Sequence, residues 1–172
     1  MTTPDNSPVV VLLGGGVEST SLVRRFLDEG RAVQPVHVHC GLVWDDAEAL
    51  FVKRFCEAQA CSALTPLMQF RVPLTDWLGD HWAATGRNIP RAGNNGHDLE
   101  IPLRNLTLLS LTLPKVLDLP HIQFAVGTTA DNSFRDGTRD YFDRSQELLS
   151  IEAGRPVNIF TPYIELTKTD VI

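Results

Sequence analysis

The sequence predicts an α/β fold, a doubly wound parallel sheet of about five strands with helices on both faces. Two observations support this prediction: short β-branched apolar runs alternate with amphipathic helical stretches, and glycines directly follow the first run. Such alternation is typical of parallel strands joined by crossover helices. A chain of 172 residues can bury one core, and it has no internal repeat or low-complexity tract. We therefore expect a single domain over residues 1–172.

Each predicted strand is a short apolar run bounded by glycine, proline or polar residues. The five runs are Pro8–Leu13, Val33–His39, Leu64–Val72, IQFAVG (122–127) and VNIFTPY (157–163). The helices between them are predicted over Glu18–Glu29, from Asp45 or Asp46 to about Ala60, over Leu103–Leu119 with a kink or end at Pro114, and over Thr138–Ser150. Apolar spacing in the second helix predicts one buried stripe, formed by Ala47, Leu50, Phe51, Arg54 and Phe55. The polar stretch TGRNIPRAGNNGHD (85–98) is interpreted as a loop over a site or a lid.

Composition excludes several classes of function. The net charge of −6, with basic residues scattered singly or in pairs, argues against a nucleic-acid surface. The longest apolar runs are too short to span a membrane, and the polar start MTTPDNSP does not resemble a secretory signal. Cys40, Cys56 and Cys61 form no C-x-x-C pair, which favours reduced core thiols in a cytoplasmic protein.

The stretch VVVLLGGGVESTSLV (9–23) places three glycines between the first strand and the first helix. Backbone N–H groups and the positive end of a helix together form an anion site. No lysine follows the glycines, so the Walker A pattern does not apply. The dinucleotide fingerprint fits loosely through Gly14, Gly16 and Ser19, but His39–Cys40–Gly41 replaces the acid expected after the second strand. A tight turn without a ligand is the remaining structural alternative, although three glycines are entropically costly there.

A third interpretation is a resemblance. Residues 14–19, GGGVES, are similar to the Ser-Gly-Gly-x-Asp-Ser loop of PP-loop ATP pyrophosphatases, which binds the pyrophosphate of ATP. Further matching stretches are HVHCGLVWDDAE, HWAATGRNIP, IPLRNLTLLS, AVGTTADNSFRDGTRDYF and TPYIELTKTDVI, so the likeness runs from Val9 to Ile172. The chain resembles the 7-cyano-7-deazaguanine synthase family (QueC, or ExsB), most closely its ExsB-like branch. That resemblance implies a HUP-like fold, cytoplasmic location and possible dimerisation.

The resemblance also implies a reaction. Such enzymes adenylate a carboxylate with MgATP and release pyrophosphate, after which ammonia attacks and a second ATP helps to form the nitrile of a deazaguanine. The implied ATP-binding residues are Leu13, Gly14, Gly15, Gly16, Ser19, Thr20, Asn105 and Gly127. The implied catalytic residues are Glu18, Arg104, Asp131 and Lys168. Structural alternatives are a surface ion pair between Arg104 and Asp131, and a solvated lysine at position 168.

The chain departs from the family pattern at four points. Gly14 replaces the first serine of the loop, Glu18 replaces its aspartate, and Leu103 replaces a glycine before the Arg104–Asn105 pair. The family continues into a cysteine cluster that holds zinc, and the ligands for such a cluster are absent here, so we expect a truncated chain or a divergent paralogue. His37 and His39 are expected on one strand face and Cys40 on the other. Trp44, Trp82 and Phe134 are candidates for stacking on a planar base or for the core.

Two alternatives to this activity stay open. A degenerate homologue would bind nucleotide without turnover, and a PP-loop enzyme would act on another acceptor. The loop Gly86–Asp98 is expected over the acceptor pocket.

Overall fold

Five parallel strands form one sheet in the computed structural model, which describes residues 7–90 and 96–172. The strands are β1 (Val9–Leu12), β2 (Val33–His39), β3 (Met68–Arg71), β4 (Ile122–Ala125) and β5 (Val157–Phe160). Their spatial order is β3-β2-β1-β4-β5, and every neighbouring pair is parallel. The predicted parallel α/β sheet of about five strands is confirmed.

Helices cover both faces of this sheet. They are α1 (Val17–Asp28), α2 (Asp45–Ala58), α3 (Thr75–Leu78), α4 (Trp82–Thr85), α5 (Arg104–Thr112), α6 (Arg139–Ala153) and α7 (Lys168–Val171), with 3-10 turns over Gly96–Leu99, Leu113–Lys115 and Arg135–Gly137. Alternate residues of β1 point to opposite faces: Val9 and Val11 pack in the core under α1 and α2, and Val10 and Leu12 pack in the core under α5 and α6. No helix of the described residues is long and apolar enough to cross a membrane.

The sheet reverses its order at β1. From β1 the chain crosses to β2 on one side, and the later strand β4 pairs with β1 on the other side. Ligands of open α/β sheets bind at the carboxyl ends of the strands at such a switch point. The loop after β1, which contains the three glycines, and the loop after β4 therefore meet at the place where a ligand is expected.

Proline shortens two predicted elements. The predicted strand Leu64–Val72 pairs regularly only from Met68 onward, since Pro66 has no N–H to donate, and Leu64 contributes an isolated bridge to Val33. The predicted long helix ends at Thr112 and continues as a 3-10 turn at Pro114, as expected of an interior proline. The four-residue helices α3, α4 and α7 were not predicted, because they are too short to show a periodic pattern.

The predicted buried stripe of α2 is wrong. Leu50 and Phe51 are half exposed, at 52% and 51%, whereas Val52 and Cys56 are buried together with Asp45. The Asp45 carboxylate accepts hydrogen bonds from the N–H groups of Gly41 and Leu42, at 2.7 and 3.1 Å. These bonds fix the start of the helix and its rotation. The buried face of α2 therefore depends on the hydrogen bonds of Asp45 more than on the spacing of apolar residues.

The three cysteines differ in how deeply they are buried. Cys40 and Cys56 are buried as expected of small core residues, but Cys61 is exposed, which corrects the prediction for that residue.

The corrected rotation of α2 predicts different costs for two truncations. Val52→Ala removes a fully buried side chain, and we expect it to lower the free energy of unfolding by about 2 kcal/mol. Leu50→Ala on the same helix should change it by less than about 0.5 kcal/mol. Urea denaturation of both variants measures the difference. Equal costs would contradict the rotation described here.

Candidate functional site

A cavity of about 380 Å³ opens at the carboxyl ends of β1 and β4. Its wall contains many of the residues that the sequence analysis selected, from positions far apart in the chain. These are Leu13, Gly14, Gly16, Glu18, Ser19, Arg104, Asn105 and Gly127. Gly15, Thr20, Asp131 and Lys168 lie next to it rather than in its wall.

The glycine loop leads directly into α1. Gly15 has a φ of +78°, and a Cβ there would lie 3.3 Å from Cδ1 of Phe51, so both conformation and space favour glycine. Gly16 is the N-cap of α1 and provides no side-chain cap. The N–H groups of the first helical turn have no partner within a helix, and at the edge of the cavity they can donate to an anion.

Gly127 allows β4 and α1 to approach closely. A Cβ at this position would lie 2.9 Å from the backbone carbon of Glu18 and from the nitrogen of Ser19. Backbone atoms cannot move aside as a flexible side chain would. Glycine at 127 is thus a steric requirement of the cavity wall, which brings the end of β4 against the first turn of α1.

The hydroxyl groups predicted to contact phosphate are turned toward the helix. Ser19 Oγ donates to the carbonyl of Gly16 at 3.1 Å, and Thr20 Oγ1 lies 3.1 Å from the carbonyls of Gly16 and Val17. Backbone N–H groups are therefore the donors that this loop has free.

Arg104 and Asn105 begin α5 on the opposite side of the cavity. Both the backbone and the side chain of Asn105 bind Asp136. The backbone N–H donates to a carboxylate oxygen of Asp136 at 3.0 Å, and the side-chain amide donates to the Asp136 carbonyl at 2.9 Å. The guanidinium of Arg104 lies over the ring of Trp44, 5.9 Å from its centroid. Among the described residues no carboxylate is within ion-pairing distance of it. Arg104 is therefore a cation in the cavity wall for which the described residues supply no fixed anion.

Glu18, Lys168 and Asp131 form a connected group at the entrance. Lys168 Nζ lies 2.9 Å from Glu18 Oε1, and the backbone N–H of Lys168 donates to Asp131 at 2.6 Å. Asp131 therefore anchors the start of α7, and the alternative of an ion pair between Arg104 and Asp131 is not what the structure contains. Lys168 is exposed but engaged with Glu18 rather than simply solvated.

The cavity wall contains further polar groups that the sequence patterns did not indicate. They are His37, Asp45, Glu48 and Asp136. Burial raises the pKa of Glu48 to about 7, with nearby Asp45 adding to this effect and Arg104 opposing it. Asp45 and Glu48 lie three residues apart on the face of α2 that also carries Val52. This helical spacing of two carboxylates with an apolar residue is the sequence signal that could have identified them.

His37 stays neutral in the wall. Its Nδ1–H donates to the Leu13 carbonyl at 2.8 Å, and burial lowers its pKa. The rings of His37 and His39 are 4.8 Å apart on one strand face, as alternation predicted. Within the described residues no three His, Cys, Asp or Glu side chains form a metal-ligand set, so these residues do not fit the zinc cluster that the resemblance implies.

The aromatic candidates separate into two kinds. Trp44 and Trp82 have ring centroids 5.5 Å apart and pack against the core. Phe134 lies in the cavity wall. Of the predicted loop Gly86–Asp98, residues 91–95 lie outside the described part of the chain, and the prediction that it covers an acceptor pocket stays a prediction.

Leu103, where the family pattern has glycine, carries a left-handed conformation with φ of +59°. A side chain costs about 1 kcal/mol or more in this region, and that of Leu103 is 53% exposed. We expect Leu103→Gly to raise the free energy of unfolding by about 0.5 kcal/mol. Leu103→Ala keeps the strain and should give no such gain. Thermal denaturation of both variants tests this difference, and a stabilised alanine variant would contradict it.

The raised pKa of Glu48 predicts a pH-dependent stability. The ordinary pKa of this side chain is 4.5, so the unfolded chain releases the Glu48 proton at a lower pH than the folded chain does. The folded state therefore loses stability as the pH rises from 4.5 through about 7. We expect Glu48→Gln to match the wild type near pH 4 and to exceed its free energy of unfolding by about 1–2 kcal/mol at pH 8, a value reduced for solvent contact. Glu57→Gln, exposed on the same helix, controls for the lost charge. A difference that does not change with pH would contradict the shift.

Solved structures share this architecture. A crystal structure of a predicted subunit of tRNA methyltransferase from Methanocaldococcus jannaschii superposes with a TM-score of 0.58 at 13% identity, covering 96% of this chain and 72% of that one. A 4-thiouridine synthetase in complex with RNA and ATP gives 0.55 at 16% identity, and the match covers 96% of this chain and 39% of the synthetase. At these identities the likeness shows the fold alone.

A comparison with curated proteins found no match. The family comparison is specific, since the model of the queuosine biosynthesis protein QueC matches residues 8–172. The match includes the glycine loop, the Arg104–Asn105 pair and the segment that carries Lys168. The chain belongs to the QueC family.

Proposed function

We propose that this protein binds MgATP at the glycine loop and adenylates a carboxylate, releasing pyrophosphate, for conversion to an amide and nitrile of the 7-cyano-7-deazaguanine type. The observation that carries the proposal is that two elements suited to binding phosphate lie in one cavity. The start of α1, which has no side-chain cap, and the guanidinium of Arg104, for which the described residues supply no ion-pair partner, both line it. Family membership supports the same chemistry.

The proposed reaction assigns a role to each wall of the cavity. The α1 N–H groups hold the phosphates of ATP, and Arg104 offsets the negative charge that develops when a substrate carboxylate oxygen attacks the α-phosphorus and pyrophosphate leaves. Mg²⁺ would be held by phosphate oxygens and Glu18, and it would neutralise the leaving group. Lys168, paired with Glu18 at the entrance, adds a positive charge on the side where pyrophosphate departs.

The acceptor is proposed to be a deazapurine-like carboxylate, with ammonia as the nitrogen source and Phe134 as a surface for the planar ring. The ATP in the complex of the related synthetase is consistent with nucleotide binding by this fold. We further propose a cytoplasmic enzyme, with dimerisation as in the family.

Two other functions follow from particular observations. The ion pair of Glu18 with Lys168 engages the carboxylate that would face the metal, which favours a homologue that binds nucleotide without turnover. RNA in the structure of the 4-thiouridine synthetase suggests another acceptor, but the net charge of −6 disfavours an RNA surface on this chain alone.

Arg104→Ala should abolish pyrophosphate release. Loss of a charged contact to the reacting phosphates typically costs about a hundredfold or more in rate, and we expect this with MgATP and the 7-carboxylate of 7-deazaguanine. Arg24→Ala, exposed on α1, is the control and should keep full activity. Released pyrophosphate is measured by a coupled assay, and full activity of the Arg104 variant would contradict the assigned role.

Calorimetric titration with MgATP separates turnover from binding. Gly15→Asp forces a side chain into a φ of +78° beside Phe51 and adds a negative charge to the phosphate loop, so it should abolish binding. Binding by the wild type without pyrophosphate release would support the non-catalytic alternative. Absence of binding in a folded wild-type chain would contradict both functions.

A further inference from the structure

We propose that Glu48 is the catalytic base of the nitrogen-transfer step: it binds the incoming ammonium ion and takes a proton from it. This inference rests on the proposed function, because it needs an adenylated carboxylate as the electrophile. It assigns a chemical role to a cavity residue that the sequence analysis did not select.

Four carboxylates line the cavity, and three of them have fixed partners. Asp45 accepts from the N–H groups of Gly41 and Leu42, Asp136 accepts from the N–H of Asn105, and Glu18 pairs with Lys168. For the carboxylate of Glu48 no hydrogen bond or ion pair is found within the described ranges 7–90 and 96–172. A partly buried carboxylate without a partner is energetically unfavourable unless it takes up a proton or a ligand completes it.

The position of Glu48 places this free carboxylate beside the phosphate loop. Its Oε2 lies 3.9 Å from the point where a Cβ on Gly14 would stand, and its carbonyl oxygen lies 3.8 Å from the corresponding point on Gly15. Arg104 is the cation in electrostatic contact with it across the cavity. An ammonium ion bound to Glu48 would therefore lie beside the glycine loop, in the same cavity in which the acyl adenylate is proposed to form.

The groups that face Glu48 make it suited to exchanging a proton. Burial and Asp45 favour the protonated acid, while Arg104 from α5 favours the carboxylate, and the pKa of about 7 allows both forms near neutral pH. From β2, His37 and Cys40 share the cavity wall. His37 has Nε2 left as an acceptor, but it is only 2% exposed and burial lowers its pKa, which makes it a weak base. Burial raises the pKa of Cys40 to about 11, which keeps its thiol protonated. Both are poor receivers for an ammonium proton.

The step balances without another reactant. Ammonium gives one proton to the Glu48 carboxylate, leaving neutral ammonia with a lone pair and Glu48 as the carboxylic acid. The nitrogen attacks the carbonyl carbon of the acyl adenylate, a C–N bond forms, and the C–O bond to AMP breaks as AMP leaves. The nitrogen then loses a second proton to solvent to give the amide, and Glu48 releases its own proton to solvent before the next cycle.

The test compares two nucleophiles. Ammonium must lose a proton before it attacks, whereas hydroxylamine is largely neutral at pH 7 and already carries a free lone pair. Wild type, Glu48→Gln and the control Glu57→Gln are incubated with MgATP and the 7-carboxylate of 7-deazaguanine. Pyrophosphate, amide and hydroxamate are measured separately.

We expect Glu48→Gln to release the pyrophosphate of its first turnover within about threefold of the wild-type rate and to form hydroxamate normally, but to lose about a hundredfold or more in amide formation from ammonium. Its residual amide formation should rise about tenfold per pH unit, following free ammonia, while the wild-type rate levels off above pH 7. Glu57→Gln should behave as the wild type in all three measurements.

Other results overturn the assignment. Equal losses with both nucleophiles, or loss of pyrophosphate release in the first turnover, would show that Glu48 serves structure or ATP binding instead. Normal amide formation by Glu48→Gln would exclude a role as base while leaving the proposed function intact. A wild type that releases no pyrophosphate would contradict the proposed function, and the assignment of Glu48 would fall with it.

Discussion

The contact between Gly127 and the first turn of α1 is the constraint on which the rest of the site depends. With 2.9 Å between the Gly127 Cβ position and the backbone of Glu18 and Ser19, no other residue type fits without displacement. This approach holds the end of β4 against the helix that begins after β1. The switch point of the sheet therefore becomes a walled cavity with helical N–H groups at its edge, rather than an open groove.

Charge is distributed unevenly around this cavity. Most of its carboxylates are consumed in holding loops and helix starts: Asp45 fixes the entry to α2, Asp136 fixes the entry to α5, and Glu18 holds Lys168. What remains free is one cation, Arg104, and one carboxylate, Glu48, among the described residues. A cleft carboxylate whose pKa is shifted by burial and by specific charged neighbours, as that of Glu48 is, is typical of a functional site.

The sequence predicted the framework better than the details of the site. Strand β2 was predicted with its observed bounds, and the glycine loop was identified because glycines, an apolar run and a helix form a local signal. Glu48 was missed because its character arises from burial by residues distant in sequence, which no local pattern reports. The rotation of α2 was wrong for a related reason, since the bonds of Asp45 to the loop before the helix outweigh the apolar spacing.

The family departures have local physical explanations of different kinds. Gly14 has room for a side chain, with Glu48 Oε2 as the nearest neighbour at 3.9 Å, so its change from serine is not a steric necessity. Leu103 keeps the left-handed conformation that glycine adopts more readily, and it does so with an exposed side chain. The change at Gly14 removes a hydroxyl group that the loop could have donated to a ligand, while the change at Leu103 lowers the stability of the fold.

The pairing of Ser21 with Tyr163 has a consequence for how the chain acquires its structure. The two hydroxyls lie 3.0 Å apart but are separated by 142 positions in the sequence, and Ser21 also reaches the carbonyl of Val171. Loop closure over such a span is slow compared with forming a helix or a neighbouring strand pair. The N-terminal half can thus collapse early, but the glycine loop at the start of α1 reaches its final form only when α7 docks, and it is among the latest parts of the molecule to mature.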